Sequence, residues 1–216
     1  MESTEFARSY LSPLGSMRML GGTPALDLAN TLHWRDGIEI DFIASYQDLL
    51  AFCIPAQLLS QAEARDLGRL QKNHEVVTHD VHREVLMLRA ALKSWLRVSA
   101  KNLSSSPAAS GAALRDLQGA IAHAGGTTGL SEILRLTSAS AKDAFYLPLR
   151  RSAAAAAMLL LFPPANEIRC CEADRCGGFF INESRSKPRR WCSMEGCGNR
   201  AKVARYRLTH RKFTPE

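Results

Sequence analysis

The chain has no apolar run long enough to span a membrane. The longest, Ala153 to Phe162, covers ten residues behind Arg150 and Arg151, about half of what a ~30 Å hydrocarbon core requires. The opening residues, Met1-Glu2-Ser3-Thr4-Glu5, are acidic and lack the basic start and apolar stretch of a secretory signal. The expected location is therefore a reducing cytoplasm. Catalytic signatures are missing as well: there is no Gly-x-Ser-x-Gly elbow, phosphate-binding glycine loop or His-Glu-x-x-His zinc motif. His79 and His82 are spaced i and i+3 and read as a solvated helix face rather than a metal site. An enzyme is not expected. No period of 20–50 residues and no sustained heptads are visible, which excludes solenoids and coiled coils.

What remains is an ordinary globular composition. The 216 residues are 46% hydrophobic and 23% charged, enough for one domain of roughly 150 residues plus a small satellite. Cysteine is almost absent from most of the chain, since only Cys53 lies before residue 170, whereas Cys170, Cys171, Cys176, Cys192 and Cys197 crowd one segment. The same segment holds the positive charge. Residues 169–212 contain twelve of the 28 Lys and Arg and four of the 21 Asp and Glu, a local balance of +8 within a chain of +7. Charge and sulfur mark one unit, which reads as an appended polyanion-binding module.

The coarse reading is mainly α with a small β-hairpin: a helical N-terminal domain followed by a C-terminal zinc-finger module made of a hairpin and a basic helix. Residues 1–20 read as a flexible arm, 21–164 as the helical body and 165–216 as the finger, divided at Pro163-Pro164, which cannot continue a helix. Ala25–Leu32 reads as helix rather than strand. Asp48–Phe52 and Ala62–Lys72 read as helices, the latter opened by a Ser60/Glu63 capping box. The clearest helix runs from Val76 to Val98, with Val81, Val85, Leu88, Leu92 and Trp95 on one face and Arg83, Glu84, Arg89, Lys93 and Arg97 away from it. Asn102–Gly111 reads as a loop, followed by a short helix carrying Leu114, Leu117 and Ile121. Leu130–Thr137 reads as a hairpin strand. Leu147–Phe162 reads as an Ala- and Leu-rich helix buried on most sides.

The cysteines are spaced Cys171-x4-Cys176, fifteen residues, then Cys192-x4-Cys197. Two loops that each donate a thiolate pair can supply the tetrahedron that Zn²⁺ prefers, with ~2.3 Å Zn–S bonds. Four thiolates leave no vacant position, so the expected cofactor is one structural Zn²⁺. Two disulfides or a chance cluster of free thiols are the competing readings. Cys171 is preferred to its neighbour Cys170 as first ligand because it makes the two spacings equal, but a swap stays open. The first pair falls in a turn between Glu167-Ile168-Arg169 and Gly178-Phe179-Phe180-Ile181, and Ser193–Lys212 reads as a helix.

That helix is cationic over most of its circumference. Arg200, Arg207 and Arg211 share one face, Lys202 and Arg205 a neighbouring one, and Val203, Tyr206 and His210 a stripe expected to be buried. Arg185, Lys187, Arg189 and Arg190 in the preceding loop, with Asn199 and Lys212, complete the candidate nucleic-acid-binding set. Such charge density is costly without a counter-charge, and phosphate is the economical one.

Cys171-x4-Cys176-Gly177-x-Phe179-Phe180, Ser184-Arg185, Arg189-Arg190 and Trp191-Cys192-Ser193-Met194-Glu195-Gly196-Cys197-Gly198-Asn199-Arg200-Ala201-Lys202 together closely resemble the CGNR zinc-finger family. Leu26-Asp27-Leu28-x-Asn30-Thr31 and the helical layout are similar to the ABATE domain, which precedes this finger in bacterial proteins described as stress-induced transcription regulators. The resemblance implies zinc on Cys171, Cys176, Cys192 and Cys197, and a DNA-binding role. Where members often carry Asp after the aromatic pair, this chain has Asn182 and then Glu183, which leaves open the acidic partner of the nearby arginines.

The leading functional reading is a zinc-dependent regulator that binds double-stranded DNA, with an N-terminal domain that senses a small-molecule effector or forms a homodimer. Asp27, Asn30, Thr31, Trp34 and Arg35 form a candidate ligand pocket, although Asp27 and Asn30 read equally well as caps on backbone groups. The alternative is an RNA-binding or protein-interaction zinc module without sequence-specific DNA recognition; a merely solvated basic tail is the plainest reading.

Overall fold

The computed structural model describes residues 17–35, 38–125, 141–184 and 186–210. The arm at 1–16, the strand expected at Leu130–Thr137, and Arg185, Arg211 and Lys212 lie outside the described residues, as do the side chains of Trp34 and Arg35.

The described chain is mainly α, with two antiparallel two-stranded hairpins. Thr23 caps α1 (Pro24–Asn30), with Pro24 in the first turn where its missing amide costs nothing. Strands β1 (Leu32–Arg35) and β2 (Ile38–Asp41) pair next, in the register Leu32 to Asp41. Helices α2 (Tyr46–Cys53) and α3 (Gln61–Leu70) each open with a capping box, Ser45/Asp48 and Ser60/Glu63. Helix α4 (Glu75–Ser99) is the spine, followed by α5 (Pro107–Ala124), the short α6 (Ala141–Ala144) and α7 (Leu147–Leu161). The C-terminal segment supplies β3 (Ile168–Cys170), β4 (Phe179–Ile181), a π-helical turn over Met194–Gly198 and α8 (Asn199–His210).

The core lies where α1, α5 and α7 pack on α4. Val81, Val85, Leu88, Leu92 and Leu96 of α4 are buried against Leu26, Leu28, Leu117, Ile121, Leu149 and Ala153. The small side chains Ala153, Ala156 and Ala157 let α7 lie close to its neighbours.

Five sequence expectations need revision. The β1–β2 hairpin was not anticipated, although Asp36-Gly37 stands between two short apolar-containing strands, the dipeptide that two-residue hairpins favour. Helix α5 begins at Pro107, inside the expected loop, because Ser106 accepts the Ala109 amide and Pro107 suits the first turn. On α4 the fully buried position is Leu96, while Trp95 is only half-buried. Arg89, expected on the solvent face, is 5% exposed. Its guanidinium makes a fork with the Asp41 carboxylate at 2.6 and 2.7 Å and donates to Thr31 Oγ1 at 3.1 Å. The unanticipated hairpin covers this part of α4, and Lys93, one turn on, donates to the Leu32 carbonyl. Helix α7 also leaves Met158 and Leu161 exposed near its end, with Phe162 exposed just beyond it, where burial on most sides was expected.

Candidate metal centre

Between β3 and β4 the chain makes a tight loop. Arg175 and Gly177 adopt left-handed backbone, at φ 53° and 63°, and the Cys171 amide donates to the Gly178 carbonyl at 2.7 Å. These turns bring Cys171 and Cys176 together. The second pair is set by the π-helical turn, in which Ser193 Oγ accepts the Gly196 amide at 3.1 Å and the Gly198 amide reaches back to the Ser193 carbonyl at 2.9 Å.

The four sulfurs of Cys171, Cys176, Cys192 and Cys197 lie within 4.8 Å of one another, and all four residues are buried. The Cys176–Cys192, Cys192–Cys197 and Cys176–Cys197 separations are 3.8, 3.5 and 3.5 Å. A tetrahedron of ~2.3 Å Zn–S bonds has edges of about 3.8 Å, so the donor set fits zinc, and these separations far exceed a ~2.05 Å disulfide bond. All six cysteines are free thiols. Cys170 stands outside the cluster at the end of β3, its Sγ 3.9 Å from the Cys171 carbonyl oxygen. Two donors are already aimed at sulfur: the Cys192 amide at Cys171 Sγ (3.3 Å) and Arg200 Nη2 at Cys197 Sγ (3.1 Å). Hydrogen bonds from the Cys176, Cys192 and Cys197 thiols hold the Cys171 thiol well below the ordinary cysteine range. The cluster is wrapped by Ala173, Phe180, Leu20 and Trp191. It is a closed structural site for one zinc ion, with no open coordination position for catalysis.

Residues 167–210 match the CGNR zinc-finger profile, and residues 22–162 match the profile of ABATE, a family described as "Putative stress-induced transcription regulator". The chain belongs to the ABATE family. Its C-terminal segment is a CGNR zinc finger, and neither description is that of an enzyme. No curated protein matches the chain. No helix among the described residues is long and apolar enough to cross a membrane.

The finger is stitched to the ABATE domain through both edges of its hairpin. Cys170 and Phe179 face each other across the ladder. On one edge Asn102 Nδ2 donates to the Cys170 carbonyl and its Oδ1 accepts the Cys170 amide, both at 2.8 Å. On the other, Asn30 makes the same pair of 2.8 Å bonds with Phe179. Each asparagine amide substitutes for a missing neighbour strand, and Phe179 inserts into the main core. Replacing Asn30 with Ala leaves the Phe179 amide and carbonyl unpaired and should cost about 2 kcal/mol. Hydrogen exchange should show the Phe179 amide opening faster while zinc remains bound one to one.

Asn30 thus holds backbone, and so does Asp27, whose Oδ1 accepts the Gly21 amide at 2.8 Å. Burial pushes the Asp27 carboxyl up, against the pull of the Gly21 and Leu20 amides. Gly21 admits no side chain, because a Cβ would lie 2.6 Å from Leu26 Cβ, and its carbonyl accepts the Ile181 amide of β4 at 3.2 Å. Thr31 is fully buried and bonds the Leu28 carbonyl at 2.7 Å. A cavity of about 300 Å³ exists nearby, between residues 17–20, Phe42 and the π-helical turn; Asn30 lines it, but Asp27 and Thr31 do not.

The basic residues of the CGNR finger divide into four groups. Arg189 is half-buried over the Phe180 ring at 4.5 Å and donates to the Ile181 carbonyl, while its amide bonds Asn182 Oδ1 at 3.0 Å. Arg190 pairs with Glu172 at 2.5 Å and lies over Trp191. Glu172, with Glu167, also pairs Arg169, so these glutamates are the acidic partners that Asn182 cannot be. Arg200, grouped with Arg207 and Arg211 as a candidate nucleic-acid contact, turns inward to Cys197. Lys187, Lys202, Arg205 and Arg207 are exposed, with no carboxylate at ion-pair distance among the described residues. Asn199 caps backbone, donating to the Glu195 carbonyl at 3.1 Å.

Helix α8 buries nothing. Val203 and Tyr206, expected in a buried stripe, are 48% and 62% exposed, and Tyr206 instead stacks on His210 at 3.8 Å. Among the described residues no element of the ABATE domain buries that face. Among the described residues, the helix is held chiefly at its N-terminal end, by the π-helical turn that carries Cys197.

Proposed function

We propose that this protein is a zinc-dependent transcription regulator whose helix α8 binds duplex DNA in the major groove. The observation that carries this reading is a twelve-residue cationic helix, anchored by a metal site at one end and with none of its residues buried by the described residues. A groove about 12 Å wide accepts one helix, and a helix packed against its own domain along one side could not enter so deeply. Lys202, Arg205 and Arg207 supply phosphate or base-edge contacts, and Lys187 and Arg190 flank them. Arg200 acts as a positioning residue, fixing the start of α8 through Cys197.

Zinc-loaded protein titrated onto fluorescent duplex DNA at several salt concentrations tests this. With about four phosphate contacts, log K should fall against log salt with a slope near −3.6, and Lys202→Ala and Arg205→Ala should each lower its magnitude by about 1. Equal, weak and salt-insensitive binding to duplex DNA and structured RNA contradicts the proposal and favours a protein-interaction module.

A further inference from the structure

We infer that the cavity between the ABATE domain and the finger is a binding site for a small organic carboxylate, and that its occupancy bears on α8. At about 300 Å³ it lies at the lower end of the ~300–1,000 Å³ usual for ligand sites. Its lining combines the apolar side chains of Met17, Leu20 and Phe42 with the charged Arg18, Arg200 and Glu195. This combination selects a ligand with an apolar body and an anionic head. A cation would meet two guanidinium groups, and inorganic phosphate would leave the apolar side chains uncovered.

The two arginines have donors to spare. Arg18 uses Nη1 on Glu195 Oε2 at 2.6 Å and on Ser193 Oγ at 3.4 Å, and Arg200 uses Nη2 on Cys197 Sγ. Each guanidinium offers five N–H donors in a fork that matches a carboxylate, and neither makes another hydrogen bond among the described residues. Glu195 is the internal competitor for the head group. It gives way at little cost, because the side chains of Arg18 and Glu195 are 57% and 76% exposed and solvent screening leaves such a pair weak. An incoming carboxylate exchanges with Glu195 on Arg18, with no covalent change.

Glu195 belongs to the π-helical turn from which α8 starts, so the exchange alters what holds the root of that helix. This second part rests on the DNA-binding proposal; the binding itself does not. By linkage, a carboxylate that changes DNA affinity must have its own affinity changed by DNA to the same degree.

Calorimetric titration of the zinc-loaded full chain with benzoate and hexanoate, against benzamide, hexanamide and inorganic phosphate, tests the site without DNA. At least one carboxylate should bind saturably, and about tenfold or more tighter than its amide and than phosphate. Arg18→Gln should weaken that binding about tenfold with zinc still one to one, and Glu195→Gln should tighten it severalfold by removing the competitor. The site is overturned if no carboxylate saturates, if the amides bind equally well, or if Arg18→Gln matches wild type; the exchange is overturned if Glu195→Gln binds no tighter. Repeating the duplex titration with the bound carboxylate present separates the two parts. Unchanged DNA affinity overturns only the coupling to α8, and an absence of DNA binding overturns the proposed function while the calorimetry still decides the site.

Discussion

Substituting Cys192 by Ser is expected to reduce zinc from one equivalent to a trace and to abolish DNA binding while most of the helical core stays folded. Cys192 Sγ lies 3.8 Å from Cys176 and 3.5 Å from Cys197, so its loss removes a corner of the tetrahedron and the bridge between the two loops. Structural zinc contributes about 10–16 kcal/mol of apparent binding energy in finger peptides at neutral pH. The apolar residues around this cluster are few, namely Ala173, Phe180, Leu20 and Trp191, and cannot replace that contribution. The ABATE core is far larger and takes only Phe179 as a fully buried residue from the finger. Hydrogen exchange should therefore show β3, β4 and the π-helical turn losing protection while the buried stretch of α4 from Val81 to Leu96 keeps it. Loss of protection along α4 to the same degree would show that metal and core form one cooperative unit.

The second large effect is expected at Arg89. Replacement by Ala leaves the Asp41 carboxylate with the Ile43 amide but no cation, takes the Arg89 donor from Thr31 Oγ1 and opens a cavity, and breaking a buried pair by removing one partner costs about 3–5 kcal/mol. Asp41 retains some exposure, with 29% of its side chain accessible, so the lower end applies. The double variant Arg89→Met with Asp41→Asn removes both charges and should recover much of the loss, measured as urea midpoints at neutral pH. Burial raises the Asp41 carboxyl, but the Arg89 guanidinium and the Ile43 amide outweigh it, and the net shift is downward. A carboxylate depressed in the folded state stabilises fully above its unfolded pKa of about 3.9 and loses that contribution as pH falls through the folded value. The difference between wild type and Arg89→Ala should accordingly be constant near neutrality and shrink in acid.

These two sites differ in how far the sequence disclosed them. The zinc ligands are written in local spacing, since each pair closes within one turn and the chemistry of four thiolates admits few alternatives. The capping box of α3 and the apolar face of α4 are equally local. Arg89 was misplaced because its burial depends on the β1–β2 hairpin, and the Asp36-Gly37 signal for that hairpin sits at the end of a stretch whose composition also suits a helix. The asparagine clasps have no local signature at all: Asn30 reaches Phe179 across 149 positions and Asn102 reaches Cys170 across 68. Only the folded chain shows that two polar side chains substitute for absent strands. Helix α8 misled in the opposite direction, because its apolar stripe at Val203 and Tyr206 has the periodicity of a buried face but is not buried by any of the described residues.

That bare helix makes one measurement decisive. Zinc-loaded wild-type protein and Cys192→Ser, taken in parallel through selection of bound fragments from a random duplex pool, should diverge sharply. Enrichment of a single sequence motif by the wild type and of none by the variant is the predicted result. Equal enrichment by both proteins, or no motif from the zinc-loaded chain, would contradict the claim that the metal centre exists to present α8 to DNA.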